Sequence, residues 1–215
     1  MFATGFKAIL MVIVAAVLAA CSGAPTQTFN AGTTASAALL PGEAQPGEVA
    51  ALTQKIMGLG AGIDPEEAAR AARIAYSYTA QLRRDYQITD GPIIHNIKVN
   101  NGTKPRGLCW HWAQDMETRL GQENFQTLDL HRAIANFDNW RLEHSTVIVS
   151  AAGADMYDGL VLDPWRKGGV LVWDDVRADT RYNWTPRQEV FAYKRARGEL
   201  TTRYVTEAGA TIRVE

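Results

Sequence analysis

Apolar positions along this chain change their spacing several times, and each change marks an element. From Ala8 to Ala20 they form one unbroken run behind Lys7. The run is short for a bilayer span and has the size of the hydrophobic region of an export signal. From Ser22 to about Ala51 large apolar residues all but vanish among Ala, Thr, Gly, Pro, Ser and Gln. Such a stretch cannot bury enough surface to fold and reads as a flexible tether. Ala51 to Ile63 reads as a first short helix or a docked arm.

Helical spacing then takes over. Ala68, Ala71, Ala72, Ala75, Tyr78, Leu82 and Tyr86 recur every three or four residues, which predicts a helix burying a stripe of mostly small side chains. Asp64 as N-cap, Pro65 in the first helical position and Glu66 and Glu67 in the first turn define its start. It ends before Gly91-Pro92, and Ile93 to Lys104 is expected to be extended or looped. A helix from Cys109 to Leu120 follows, with Gly121 as its C′ residue. Cys109, Ala113, Met116 and Leu120 share one face of it, so the thiol points to the core side.

Beyond Gly121 the period shortens to that of strands. Phe125 to Ala133 fits either period, with strand preferred. Leu142 to Ala151 is a β-rich run, Gly153 to Gly159 a turn, Gly159 to Trp165 a second strand and Gly169 to Trp173 a third. Helices first and antiparallel strands afterwards make an α+β fold, its cysteine-bearing helix packed on an antiparallel β-sheet. The organisation is a leader in residues 1–20, a tether in residues 21–51 and one domain in residues 52–215.

Leu18-Ala19-Ala20-Cys21 fits all four positions of the bacterial lipobox, whose cysteine is acylated and becomes the first residue of the mature chain. Lipidation at Cys21 implies a membrane anchor in the bacterial envelope. Ser22 after it favours the outer membrane, with the domain facing the periplasm or the cell surface. Of the two cysteines, Cys109 is then left without an intramolecular partner, which is unusual where the compartment favours disulfides. Burial as a small hydrophobe is the plain explanation of such a thiol; nucleophilic chemistry is the other. Lys plus Arg number 22 against 23 Asp plus Glu, so there is no basic field to hold nucleic acid.

Cys109 follows a glycine at a helix start, where unpaired N–H groups and the helix dipole stabilise a thiolate. A thiol also needs a base, and the base needs an orienting partner. His144 opens one strand and Asp163 closes the next, with the Gly153 to Gly159 turn between them. Asp163 stands between Leu160-Val161-Leu162 and Pro164-Trp165, an apolar setting in which a carboxylate requires a partner. Taken singly, His144 reads as a satisfied strand-edge histidine and Asp163 as a turn cap before proline. In the order Cys, His, Asp they point to covalent catalysis.

Gly107-Leu108-Cys109-Trp110, a strand opening at His144, and Gly159-Leu160-Val161-Leu162-Asp163-Pro164 together resemble the transglutaminase-like branch of the papain-like cysteine enzymes. The resemblance spans about Arg106 to Trp165 and implies a papain-like core, with Cys109 as nucleophile, His144 as base and then acid, and Asp163 as the orienting residue. It implies a hydrolase or acyl transferase acting on a peptide, protein or peptidoglycan-derived amide, without cofactor. Ser145-Thr146-Val147 depart from the aromatic or acidic residue the family often has after its histidine. Asn96, Asn100 and Asn101 are candidate oxyanion donors beside the Cys109 backbone N–H, and Trp110, Trp112 and Trp165 are candidates for a substrate groove.

Three other readings compete. The four histidines and Cys109 fall in one half of the domain, but no metal-ligand spacing such as CxxC or HExxH occurs. A papain-like peptidoglycan amidase or endopeptidase would use the same triad on a different substrate. A non-enzymatic envelope-binding lipoprotein would rest on the six tryptophans instead, and would have no need of all three triad residues.

Overall fold

A computed structural model describes residues 43–45, 47–139 and 141–199. The leader, Cys21 and most of the tether lie outside the described residues. Four helices come first: α1 (Glu48–Met57), α2 (Pro65–Asp85), α3 (Pro92–Asn100) and α4 (Cys109–Gly121). Five strands follow: β1 (Leu128–Ala135), β2 (His144–Ala151), β3 (Leu160–Asp163), β4 (Val172–Asp175) and β5 (Trp184–Pro186), and then α5 (Arg187–Ala196). The fold is α+β, with an open antiparallel sheet in the order β4-β3-β2-β1-β5.

Local chemistry sets the helix starts. Asp64 accepts hydrogen bonds from the Glu66 and Glu67 N–H groups at 2.7 and 3.0 Å and caps α2. Glu67 turns inward and accepts from the Gln126 and Thr127 N–H groups, both at 2.8 Å, and from Thr127 Oγ1 at 2.5 Å. The first turn of α2 is thereby stitched to the start of β1. Burial alone would raise the Glu67 pKa, but the Thr127 hydroxyl and the two backbone donors hold it below the usual range.

Strand alternation divides the sheet into two apolar faces. Leu128, Val147, Val149, Leu160 and Leu162 pack with Leu52 and Ile56 of α1, the alanine stripe of α2, and Met116 and Leu120 of α4. Each fully buried Leu, Val or Ile contributes about 1.5 to 3 kcal/mol. On the opposite face Ala133, Ala135, Ile148 and Val161 pack with Met156, Val176 and Trp184. His144 belongs to this second face by alternation. β5 covers only Ala133–Ala135 of β1.

Several boundaries differ from the sequence reading. The segment from Ile93 is not extended: Pro92 opens the helix α3 after Gly91. Its apolar residues Ile93, Ile94 and Ile97 are exposed while His95 is buried, so no inward stripe betrayed the helix. α1 starts at Glu48, inside the stretch read as tether, because Leu52 and Ile56 find a buried place on the core. Gly121 is the last helical residue of α4 rather than its C′ residue, and the left-handed turn falls at Asn124. β5 and α5 have no counterpart in the sequence reading.

Candidate active site

The loop before α4 is fixed from three sides. Gly107 has φ 123°, and a Cβ there would lie 2.4 Å from His95 Nε2, so both backbone and space demand glycine. His95 Nε2 donates to the Arg106 carbonyl at 2.8 Å. Arg106 Nη2 pairs with Asp115 Oδ1 at 2.8 Å, and Tyr86 donates its hydroxyl to Asp115 Oδ2 at 2.5 Å. Burial and the adjoining Asp115 carboxylate raise the Tyr86 pKa, which keeps that hydroxyl a donor.

The start of α4 is capped from within the helix. His111 Nδ1 accepts from the Gly107 and Leu108 N–H groups, both at 3.2 Å, which fixes the unprotonated nitrogen of that ring. The Cys109 amide, next in line, belongs to the first turn and has no carbonyl four residues back within the helix. Cys109 itself is a free, buried thiol. Its Sγ makes a weak directed contact with the Glu143 carbonyl at 3.8 Å.

His144 is buried at the beginning of β2. Its Nε2 donates to Asp163 Oδ2 at 2.7 Å. Trp165 and Tyr182 lie against the ring with centroids 4.6 Å away, and Trp184 lies at 5.4 Å. Nδ1 is buried and makes no directed hydrogen bond among the described residues. The Cys109 sulfur comes to the carbonyl of Glu143, the residue before His144, and so to the same end of β2. Burial disfavours the imidazolium, but the charge and hydrogen bond of Asp163, followed by the influence of the nearby Cys109 sulfur, outweigh it and raise the His144 pKa. The sheet face that carries α4 and the face that carries His144 are opposite, and Cys109 at the start of α4 reaches the carbonyl of Glu143 at the beginning of β2.

Asp163 is 1 % exposed and fully partnered. Besides His144, it accepts from the Arg166 N–H at Oδ1 (3.1 Å) and from Arg166 Nε at Oδ2 (3.0 Å). Burial pushes its pKa up, yet His144 and then Arg166 hold it below the ordinary carboxylate range. Arg166 in turn makes a bidentate pair with Asp179 at 3.2 and 2.7 Å, and its guanidinium lies over the Tyr182 ring at 4.8 Å. The polar network thus continues well behind the three residues singled out by sequence.

The remaining expected residues fall in different places. Asn96 accepts from Trp165 Nε1 at 3.1 Å and so reaches the ring that lies on His144. Asn100 and Asn101 stand exposed at the far end of α3, away from that contact. Trp165 lies at the site. Trp110 is half-buried against His111, with ring centroids 3.8 Å apart. Trp112 is a correction: it is 1 % exposed, packs with Leu82, Tyr86 and Ile88, and donates Nε1 to the Gly107 carbonyl at 3.0 Å. It supports the cysteine loop from beneath and cannot line a groove.

Sequence reasoning passed over Arg166, Asp179, Tyr182, Trp184 and the capping role of His111. Arg166 alone carried a local signal, standing three residues after Asp163, where a carboxylate cap meets the next turn. The histidines other than His144 are engaged separately: His95 with Arg106, His111 with Gly107 and Leu108, and His131 with Ser150 Oγ at 2.8 Å. Among the described residues no three His, Cys, Asp or Glu side chains are arranged to hold a metal ion. The chain matches no protein-family model, no curated protein and no solved structure.

Proposed function

We propose that this protein is a cysteine hydrolase or acyl transferase of the transglutaminase-like, papain-like type, acting on a peptide or amide bond. The observation that carries the reading is the state of His144: Nε2 engaged by Asp163, Nδ1 buried and without a directed bond, and the Cys109 thiol against the carbonyl of the preceding residue, Glu143. A buried imidazole held by a carboxylate on one side and left open towards a helix-start thiol on the other is suited to take that thiol's proton.

In the proposed reaction His144 Nδ1 takes the proton from Cys109, and the thiolate attacks the carbonyl carbon. The Cys109 N–H donates to the developing oxyanion. Collapse breaks the C–N bond, the leaving amine takes the proton from His144, and a thioester remains on Cys109. Water, deprotonated by His144, then attacks the thioester, releasing the acid and restoring the thiol; an acceptor amine in place of water would give transfer. Water is the more abundant acceptor outside the cytoplasm, which favours hydrolysis.

The proposal includes anchoring through an acylated Cys21 in the bacterial envelope, the outer membrane favoured. Its support is the Leu18-Ala19-Ala20-Cys21 sequence. Cys21→Ser is expected to leave the membrane fraction or to accumulate as unprocessed precursor; unchanged fractionation and processing would remove that part of the reading.

The central test is reaction of Cys109 with a thiol-directed probe across pH, in the wild type and in His144→Ala. Rapid labelling near neutral pH that depends on His144 is expected. Labelling that rises only at alkaline pH, equally in both proteins, would overturn the enzyme reading.

A further inference from the structure

The carboxylate of Asp163 is shared between two donors of positive charge. Oδ2 accepts from His144 Nε2 at 2.7 Å and from Arg166 Nε at 3.0 Å. The other two guanidinium nitrogens of Arg166 are held by Asp179, and Asp179 Oδ2 also accepts from Trp184 Nε1 at 3.0 Å. The side chains of Asp163 and Asp179 are 1 % and 2 % exposed and that of Arg166 is 12 % exposed. Imidazole, carboxylate, guanidinium and carboxylate therefore form a row with little water to screen it.

We propose that Arg166 and Asp179 are positioning residues that set how firmly Asp163 holds a proton on His144, and that they act with opposite signs. Arg166 draws on the same oxygen that His144 uses and places a positive charge behind it, which opposes an imidazolium. Asp179 offsets that charge. Removing the guanidinium strengthens the hold of Asp163 on a protonated His144; removing the Asp179 charge leaves Arg166 uncompensated and weakens it.

The other groups around His144 are the Cys109 thiol from the start of α4 and the Trp165, Tyr182 and Trp184 rings. Glu143, beside it in β2's approach, is paired with Lys194 of α5. Tyr182 lies under the Arg166 guanidinium and Trp184 donates to Asp179, so the charge-keeping Arg166→Lys and the double variant serve to separate loss of charge from movement of these rings. The catalytic consequence of the inference rests on the triad reading, whereas the charge balance does not.

The test is a titration of the His144 ring by heteronuclear NMR in the full chain, for the wild type, Arg166→Gln, Asp179→Asn and the double variant. Arg166→Gln is expected to titrate about one pH unit above the wild type and Asp179→Asn about one unit below, with the double variant between them. If the two residues serve only as packing, both single changes loosen Asp163 and move His144 in the same direction, which overturns the inference. Should Asp179→Asn not fold, Arg166→Lys decides it. Lysine keeps the charge and is expected to titrate near the wild type while glutamine titrates above; equal titration of the two would overturn the inference. If Cys109 proves unreactive at every pH while the His144 titrations still diverge, the triad reading fails and this one stands.

Discussion

Glu67 and Asp163 are both buried carboxylates held ionised, at opposite ends of the β1–β2 pair, and they are satisfied in opposite ways. Glu67 is hydrogen-bonded by neutral donors, two backbone N–H groups and a threonine hydroxyl, with the half-exposed Arg70 guanidinium further off at 3.9 Å. Asp163 is met by an imidazole and a guanidinium. The first arrangement joins two elements and has nothing to exchange. The second holds a proton that can leave. Burial of a carboxylate is thus no sign of chemistry in itself; the donors around it decide whether it is a rivet or part of a reacting system.

Substitution at each carboxylate should separate the two roles. Asp163→Asn is expected to slow Cys109-dependent turnover by about three to four orders of magnitude, since the amide cannot stabilise the imidazolium and holds the wrong tautomer. Single-turnover kinetics would check this, and a loss under tenfold would put Asp163 on the same footing as Glu67. Glu67→Gln is expected to cost about 1 to 3 kcal/mol of stability in a urea titration by turning one acceptor into a donor facing donors. Probe labelling of Cys109 should stay within about twofold of the wild type in that variant. A large fall in labelling would mean that the two ends of the sheet are coupled.

The pH dependence of stability sharpens the same contrast. Both carboxylates have lowered folded pKa values, so their contribution is present above the unfolded values of about 4 and is lost as pH falls through the folded ones. His144 has a raised folded pKa of about 10. Its contribution is complete below the unfolded value of about 6.5 and declines as pH rises from there towards about 10. Denaturation across pH is therefore expected to show an alkaline decline that Asp163→Asn diminishes and Glu67→Gln leaves intact. The smallest expected effect is at the edge of the site: Asn96→Ala removes the acceptor of Trp165 Nε1 and should cost about 1 kcal/mol. If turnover falls a hundredfold with no larger loss of stability, Asn96 belongs to the oxyanion hole.

Cys109, His144 and Asp163 were legible as candidates because each sits at or beside a boundary that the sequence marks. Gly107 precedes a helical register, His144 opens an apolar strand, and Asp163 closes one before a proline. α3 was not legible, because periodicity reveals a helix by what it buries and α3 turns its isoleucines outward. Trp112 was misjudged for a related reason. α4 buries a wide arc, with the sheet on one side and Leu82, Tyr86 and Ile88 on the other, so nearness to Cys109 in sequence did not bring exposure. The Arg166–Asp179 pair spans 13 residues, and no local pattern encodes such a closure. β5, three residues ending in Pro186, is too short to show alternation.

That short last strand bears on how the molecule behaves in company. A sheet with free edges is a template on which other chains can add strands. Here one rim is a three-residue strand stopped by a proline that has no N–H to offer, with α5 starting at the next residue. The other rim, β4, carries Asp174 and Asp175, the latter paired with Lys55 at 2.6 Å. Charge on β4 and the proline in β5 oppose edge-to-edge growth at those two places, which leaves Leu128–Arg132 of β1, the stretch β5 does not cover, as the part of the rim where another chain would add when many copies are crowded together.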